Sequence, residues 1–161
     1  MPILLVIQSL PKVALAPLFV FWLGFGITSR IGISFLTALF PIVVTAAVGF
    51  ARVPDELIEL SDSLRASRLK AFFKIKLPLG IPSYIAGMRI GAPLAVVGAV
   101  VGEFVSGANG MGYIVKSATL QGNLPLAFVA IIVLTILGYL MYLAVSVIGK
   151  LVTPWAVPSG R

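Results

Sequence analysis

The chain has 161 residues, of which 60% are apolar or aromatic and only 11% are charged, with a net charge of +7 and a mean hydropathy of +1.13. Soluble domains carry about 25% charged residues, so this composition excludes a soluble globular protein and predicts a membrane protein. The sequence contains neither Cys nor His, which argues against disulfides, thiolate metal sites and most hydrolytic or zinc chemistry.

Four long apolar runs predict helices that cross a membrane. A crossing needs roughly 20 mostly apolar residues. The third run includes a base near one end and an acid near the other, where long side chains reach the interface. The predicted spans are approximately 11–29, 31–51, 84–105 and 124–149. The predicted fold class is therefore all-α: a polytopic membrane helix bundle that forms a single transmembrane domain over residues 1–161.

The basic residues indicate how this bundle is oriented. With four spans, ten of the twelve Lys and Arg residues lie on one side, and only Arg30 and Lys116 lie on the other. Because cytoplasmic loops carry an excess of bases, both termini and the loop 52–82 are predicted to be cytoplasmic. The bases flank apolar segments and do not form a wet basic face, so no nucleic-acid partner is expected.

The first ten residues bear on how the chain begins. They contain neither the basic stretch nor the small-residue cleavage site of a signal peptide. We therefore expect an N-terminally truncated polypeptide, whose missing part would hold further spans.

A polar segment, residues 52–76, lies between the second and third predicted spans and holds ten of the seventeen charged residues. Its pattern predicts a short amphipathic helix from about Pro54 to Leu64. Asp55 and Glu56 complement the positive end of the helix dipole, and three leucines fall on one face. These leucines are Leu57, Leu60 and Leu64.

A second short helix is predicted to follow within the polar segment. Ser67 is a candidate cap at its start, and Pro78 is expected to disrupt it. On the pattern alone, two interpretations stay open: a loop whose helices lie on lipid, or a docking site for another protein.

Small residues recur along the third predicted span. They are Gly87, Gly91, Ala95 and Ala99, with Gly98 and Gly102 beside them. Such rows let helix backbones approach closely in lipid, where packing drives association. The spacing therefore predicts a packing helix, whose partner is either another span of the same chain or a second copy.

The polar segment also follows a known motif. It contains Glu59-Leu60-Ser61, then Arg65-Ala66-Ser67, then Ile75-Lys76-Leu77-Pro78. These runs resemble the EAA loop of the inner-membrane permease subunits of ABC importers, which is Glu-Ala-Ala, three residues, Gly, nine residues and Ile-x-Leu-Pro. The spacing is preserved throughout. The Glu, Ile, Leu and Pro positions match, while the two motif alanines are Leu and Ser here and the motif glycine is Arg65.

Neighbouring segments resemble the same family, in the branch that imports nitrate, sulfonates, taurine or thiamine-pyrimidine precursors. They are Leu15-Ala16-Pro17-Leu18, Trp22-Leu23-Gly24-Phe25-Gly26, Gly102-Glu103-Phe104 and Gly110-Met111-Gly112-Tyr113. The resemblance covers almost the whole chain and the downstream half of such permeases. It implies a multi-pass protein of a bacterial or archaeal plasma (inner) membrane.

In this family the EAA loop implies a coupling helix that docks in a cleft of a separate cytoplasmic ATPase. ATP-driven closure of two ATPase subunits then moves two permease subunits, identical or different, from inward-facing to outward-facing. The resemblance therefore implies three protein partners for a permease embedded in the lipid bilayer. They are the ATPase, a second permease and an extracytoplasmic solute-binding protein. The predicted ATPase-coupling residues are Leu57, Glu59, Leu60, Ser61, Leu64, Arg65, Ala66, Ser67, Ile75, Leu77 and Pro78.

Arg65 departs from the motif at a position that controls the turn. Glycine there lets one helix stop in a left-handed conformation before the next helix begins. A residue with a side chain adopts that conformation at a cost of roughly 1 kcal/mol. Either Arg65 adopts it, or the two helices merge.

The resemblance also implies that the third span lies beside the passage between two permeases. The predicted pathway or packing residues are Gly87, Gly91, Ala95, Gly98, Gly102 and Glu103. Three roles stay open for Glu103: it lines the pathway, pairs with Lys116, or caps the helix at the outer surface. Its place near a span end is favourable, because a charge at the bilayer centre costs roughly 3 kcal/mol.

Three classes of function compete on these observations. A membrane enzyme would need paired acids, His or Cys at membrane depth, and a secondary carrier usually has ionisable residues in mid-span. The chain has no Walker lysine, so ATP hydrolysis is expected in a partner, and no cofactor or metal is expected here. We predict a non-catalytic permease subunit of an ATP-driven importer for a small anion or organic molecule. A secondary carrier or channel is the alternative.

Overall fold

The computed structural model describes residues 11–107 and 109–156. All regular structure in these two stretches is helical, so the all-α prediction is confirmed. The helices are α1 (Ala16–Leu23), α2 (Ile27–Ala51), α3 (Asp55–Ser63), α4 (Arg68–Ser106), α5 (Met111–Leu120) and α6 (Leu124–Val152). Short 3-10 turns, Lys12–Leu15 and Pro154–Ala156, flank this set.

Three helices, α2, α4 and α6, are long and apolar enough to cross a membrane. They have 25, 39 and 29 residues, whereas a crossing needs roughly 20. The apolar helix described before them, Val13–Leu23, is shorter. Four crossings therefore stay a prediction.

The structure corrects the boundary between the first two predicted spans. α1 ends at Leu23, where Gly24 adopts a φ of 80°, and α2 begins at Ile27. Arg30, which separates the predicted spans 11–29 and 31–51, lies inside α2. Because glycine adopts a positive φ at little cost, the turn 24–26 divides the apolar run, and the charge does not.

The contact between α2 and α4 forms the centre of the bundle, and glycines of α4 lie directly on the α2 backbone. A Cβ on Gly98 would lie 2.7 Å from the Cα of Ser34, and one on Gly102 would lie 3.1 Å from the Cα of Arg30. Two further glycines of α4 are equally close to α2; they are Gly87 and Gly91. Four glycines of the small-residue row therefore pack on another span of the same chain.

The start of α4 differs from the prediction that Pro78 disrupts the helix. A π-turn, Phe72–Lys76, precedes the proline, and the N–H of Leu77 donates to the carbonyl of Phe72. Pro78 then falls in the first turn of the α-helical stretch Leu77–Ser106, where a missing N–H is tolerated. The helix therefore continues from the polar segment to the far end of the bundle.

α6 covers one side of the pair and packs against α4 and α5. Its buried residues are the small ones, Ala127, Ala130 and Gly149, whereas most of its large apolar side chains are exposed. Such a surface is suited to contact with lipid.

Candidate functional site

The polar segment folds into α3 and the beginning of α4, joined by a tight turn. α3 runs from Asp55 to Ser63, within one residue of the predicted helix at each end. Pro54 is its N-cap and not its first helical residue. Asp55 and Glu56 lie in the first turn, where carboxylates interact favourably with the helix dipole.

The turn after α3 depends on Arg65. This residue has a φ of 51°, the only positive φ among the described non-glycine residues. The N–H of Arg65 donates to the carbonyl of Asp62 at 2.9 Å, and the N–H of Ala66 donates to the carbonyl of Ser61 at 3.0 Å. These two bonds define a Schellman motif, the usual way to end a helix at a left-handed residue. Arg65 therefore adopts the glycine conformation, and the two helices do not merge.

Ser67 begins the next helix, as its position in the sequence predicts. Its Oγ accepts a hydrogen bond from the N–H of Lys70 at 3.3 Å, and its backbone is extended. This is the geometry of an N-cap. α3 and α4 therefore meet within four residues, 64–67, as two separate helices.

An apolar groove of about 520 Å³ lies between α3 and the start of α4. Its apolar walls include Leu60 and Leu64, which are 56% and 73% exposed. Ser61 lies at the bottom, where it is 4% exposed, and its Oγ has no hydrogen-bond partner within the described residues. We call this feature the elbow groove.

Most of the predicted coupling residues line the elbow groove. Those that do are Leu57, Leu60, Ser61, Leu64, Arg65, Ala66, Ser67 and Ile75. Glu59, Leu77 and Pro78 are outside its lining. Lys70 and Lys74 line it although the sequence analysis did not select them. Lys70 follows the Ser67 cap by three residues and Lys74 follows Lys70 by four, which places all three on one helix face. This spacing is the sequence signal that indicates the two lysines.

Aromatic and polar contacts attach the elbow groove to the membrane helices. The ring of Phe72 stacks on that of Phe50 at the end of α2, with centroids 6.5 Å apart, and contacts Phe73 edge-on at 5.4 Å. The indole N–H of Trp155 donates to the carbonyl of Pro78 at 3.2 Å. α2, α4 and the segment after α6 are therefore joined where the groove meets the bundle.

The opposite end of α4 carries a second polar cluster. The Oε2 of Glu103 accepts a hydrogen bond from the N–H of Gly112 at 2.6 Å, which lies in the first turn of α5. Lys116 donates to the carbonyl of Phe104 at 2.7 Å. Of the three roles left open for Glu103, these bonds correspond to helix capping, and the helix that is capped is the one that follows. Lys116 bonds to the backbone carbonyl of Phe104.

Arg30, on α2, also belongs to this cluster, which we call the outer cluster because the basic residues predict that this end lies outside the cytoplasm. Its Nε donates to the Oγ of Ser106 at 3.2 Å, and its Nη1 donates to the Oδ1 of Asn109 at 3.0 Å. No local pattern in the sequence predicts these bonds, because they join residues 76 and 79 positions apart. Ala95 lines a shallow groove with Arg30 and Glu103, and so differs from the glycines of its row, which lie on α2.

The sequence of the chain matches a known protein family. The family described as binding-protein-dependent transport system inner membrane component matches residues 1–157. The chain belongs to this family. The resemblance to the inner-membrane permeases of ABC importers is therefore confirmed, and the chain is part of a multi-pass inner-membrane protein.

Three relatives illustrate the range of the family. The formylaminopyrimidine transport permease protein ThiX of Halalkalibacterium halodurans is 34% identical over 96% of this chain and 62% of its own length. The riboflavin transport system permease protein RibX of Chloroflexus aurantiacus is 35% identical over 96% and 58%. The taurine transport system permease protein TauC of Escherichia coli is 31% identical over 96% and 56%. The chain thus spans about three-fifths of the length of these relatives.

Proposed function

We propose that the chain belongs to the transmembrane permease subunit of an ATP-driven importer. A separate cytoplasmic ATPase docks at the elbow groove, and its conformational change moves the permease helices. The observation that carries this proposal is the pair of exposed leucines, Leu60 and Leu64, in a groove built by a Schellman turn and an N-cap. Exposed apolar side chains grouped in a groove mark a site of contact with a protein or a membrane.

The charges of α3 favour a protein partner over a lipid surface. The helix carries four carboxylates and no base; they are Asp55, Glu56, Glu59 and Asp62. All four are exposed. The cytoplasmic leaflet has a negative surface potential and therefore repels these carboxylates, whereas the bases of the polar segment lie outside α3, at positions 52, 65, 68, 70, 74 and 76. A basic or polar rim around an apolar cleft on a protein complements it.

α4 provides a route from the groove to the outer cluster. It is continuous over 39 residues, which corresponds to about 58 Å at 1.5 Å per residue. Its glycines lie on the α2 backbone, so the two helices move together. A displacement of the elbow groove is therefore transmitted to the end where Glu103 and Arg30 lie.

The remaining parts of the proposal follow from the family. We infer that both ends of the chain and the polar segment are cytoplasmic, that a second permease completes the solute pathway, and that an extracytoplasmic binding protein delivers the solute. The relatives are named for formylaminopyrimidine, riboflavin and taurine, so the solute is a small anion or organic molecule. The family match favours an importer over a secondary carrier or channel. No chemical step is assigned to this subunit.

Co-purification of the ATPase with the full-length permease tests the coupling site. Leu60→Asp places a charge in the elbow groove, and Glu59→Lys reverses a charge on the same helix. We expect each change to lower the amount of bound ATPase by about tenfold or more and to abolish transport, with unchanged insertion into the membrane. Leu69→Asp is the matched control, because Leu69 is 70% exposed on the same segment but lies outside the groove lining. Undiminished ATPase binding by both α3 variants would exclude this docking site.

A further inference from the structure

Arg89 is a cation in the apolar length of α4. Residues 77–88 and 90–102 on either side carry no charge. The side chain reaches α6, since its Nη2 lies 3.2 Å from the position that a Cβ on Gly149 would take. Its Nε is buried and has no hydrogen-bond partner within the two described stretches. The guanidinium therefore lies against α6 at Gly149, and its Nε–H is an unpaired donor within the described residues.

The facing surface of α6 carries a second unpaired polar atom. Ser146 precedes Gly149 by three residues, which places the two on one side of the helix. The Oγ of Ser146 is also buried without a partner in the part of the chain that the structure describes. Buried polar atoms are paired in the large majority of cases. Two unpaired ones on facing helices therefore point to a ligand with acceptor atoms.

The side-chain carboxylates of the chain do not supply that ligand. Four of the five lie exposed on α3. The fifth, Glu103, accepts its hydrogen bond from Gly112 and lies 14 residues further along α4, about 21 Å from Arg89 at 1.5 Å per residue. The counter-charge of Arg89 must come from outside these residues.

We propose that Arg89, together with Ser146, binds an oxyanion between α4 and α6. The guanidinium is a rigid fork of donors that matches two oxygens of a phosphate, sulfonate or carboxylate group, and the hydroxyl adds another donor. A guanidinium partly buried between two helices is unfavourable without a counter-charge, and an oxyanion supplies both the charge and the acceptors. The phosphate of an anionic lipid and a soluble oxyanion share this chemistry. A transported anion as the source rests on the proposed function, whereas a lipid does not.

The test uses the full-length permease complex in nanodiscs without ATP, so that coupling to the ATPase does not affect the readout. One arm compares phosphatidylcholine with an equimolar mixture of phosphatidylcholine and phosphatidylglycerol. The other arm titrates sulfate against chloride at equal ionic strength in phosphatidylcholine alone. Each arm follows the thermal unfolding temperature of the wild type, Arg89→Gln, Arg89→Lys, Ser146→Ala and the control Lys150→Gln, which removes an exposed cation next to Gly149.

We expect a saturable stabilisation in one arm, which identifies the source as lipid or soluble anion. Its apparent Kd should rise about tenfold or more in Arg89→Gln, less in Arg89→Lys and Ser146→Ala, and not in Lys150→Gln. Sulfate also stabilises proteins by exclusion, so the difference between variants decides. Equal responses of the wild type and Arg89→Gln, or no response of the wild type in either arm, overturn the proposal. Should Arg89→Gln not fold, unchanged binding in both Arg89→Lys and Ser146→Ala overturns it.

Discussion

The carboxylate of Glu103 accepts a 2.6 Å hydrogen bond from the backbone N–H of Gly112, and this bond fixes the end of α4 to the start of α5. The first N–H groups of a helix have no partner within the helix, and a carboxylate there also interacts with the helix dipole. A Cβ on Gly112 would lie 2.9 Å from the Oε2 of Glu103, and one on Gly110 would collide with the carboxylate. The two glycines flanking Met111 therefore leave the space that Glu103 occupies.

Removing this carboxylate should destabilise the outer end of the bundle. A hydrogen bond to a charged group contributes about 1.5–3 kcal/mol, so we expect Glu103→Ala to lower the free energy of unfolding by about 2 kcal/mol. Glu103→Gln keeps an acceptor and loses the charge, and should cost about 1 kcal/mol. Reversible unfolding of the purified protein in mixed micelles measures both values.

Glu56→Ala is the matched control for this prediction. Glu56 is an exposed carboxylate in the first turn of α3, so it has the dipole interaction without the short bond to a following helix. Its removal should cost at most about 1 kcal/mol. If Glu103→Ala costs no more than Glu56→Ala, the bond to Gly112 does not stabilise the outer end.

Restoring glycine at position 65 should stabilise the protein. Arg65 has a φ of 51°, a conformation that costs a residue with a side chain roughly 1 kcal/mol and glycine little. We therefore expect Arg65→Gly to raise the free energy of unfolding by about 1 kcal/mol. Arg68→Gly, within the first turn of α4, should not raise it, because Arg68 is already in a helical conformation in which glycine has no advantage. A loss of stability in both variants would show that the Arg65 side chain has a stabilising contact that outweighs its backbone strain.

A single methyl group should disrupt the contact between α2 and α4. A Cβ on Gly98 would lie 2.7 Å from the Cα of Ser34 and 3.0 Å from the carbonyl oxygen of Ile33, and backbone atoms cannot move aside as a side-chain end does. We expect Gly98→Ala to cost about 1–3 kcal/mol of stability. In the control Gly138→Ala, the new Cβ meets only the Cβ of Pro93 at 4.0 Å, so stability should rise by up to about 1 kcal/mol, because alanine replaces glycine inside a helix without a clash. Equal effects would mean that the helices separate freely at Gly98.

The parts of the structure that sequence analysis predicted depend on local signals. α3 follows from acids, a proline and leucines at helical spacing, and the Ser67 cap follows from one residue before a helical run. The glycine row predicts close packing because lipid-embedded helices associate through small residues. Each of these signals lies within a few residues of the feature that it predicts.

The parts that were missed depend on distant or compensating interactions. Pro78 is tolerated because a π-turn, Phe72–Lys76, lies just before it. No pattern in the sequence predicts that turn. The first apolar run is divided by the turn at residues 24–26, whereas the charge of Arg30 predicted a division at residue 30. The bonds from Arg30 to Ser106 and Asn109 exist only because α2 and α4 are paired, and spacing along one helix does not contain that information.

Cysteine labelling tests the orientation and the docking surface together, because the chain has no Cys and none of its own residues competes with an introduced thiol. In sealed inside-out vesicles that carry the assembled complex, a membrane-impermeant maleimide should not label Asn109→Cys, which is at the outer end of α4, but should label Leu69→Cys at its polar start. Leu60→Cys should be labelled in vesicles stripped of the ATPase and protected by about tenfold when the ATPase is bound, since the elbow groove is then covered. Protection of Leu69→Cys to the same degree would mean that the ATPase covers the whole segment and not the groove. Labelling of Asn109→Cys from this side would reverse the orientation that the basic residues predict.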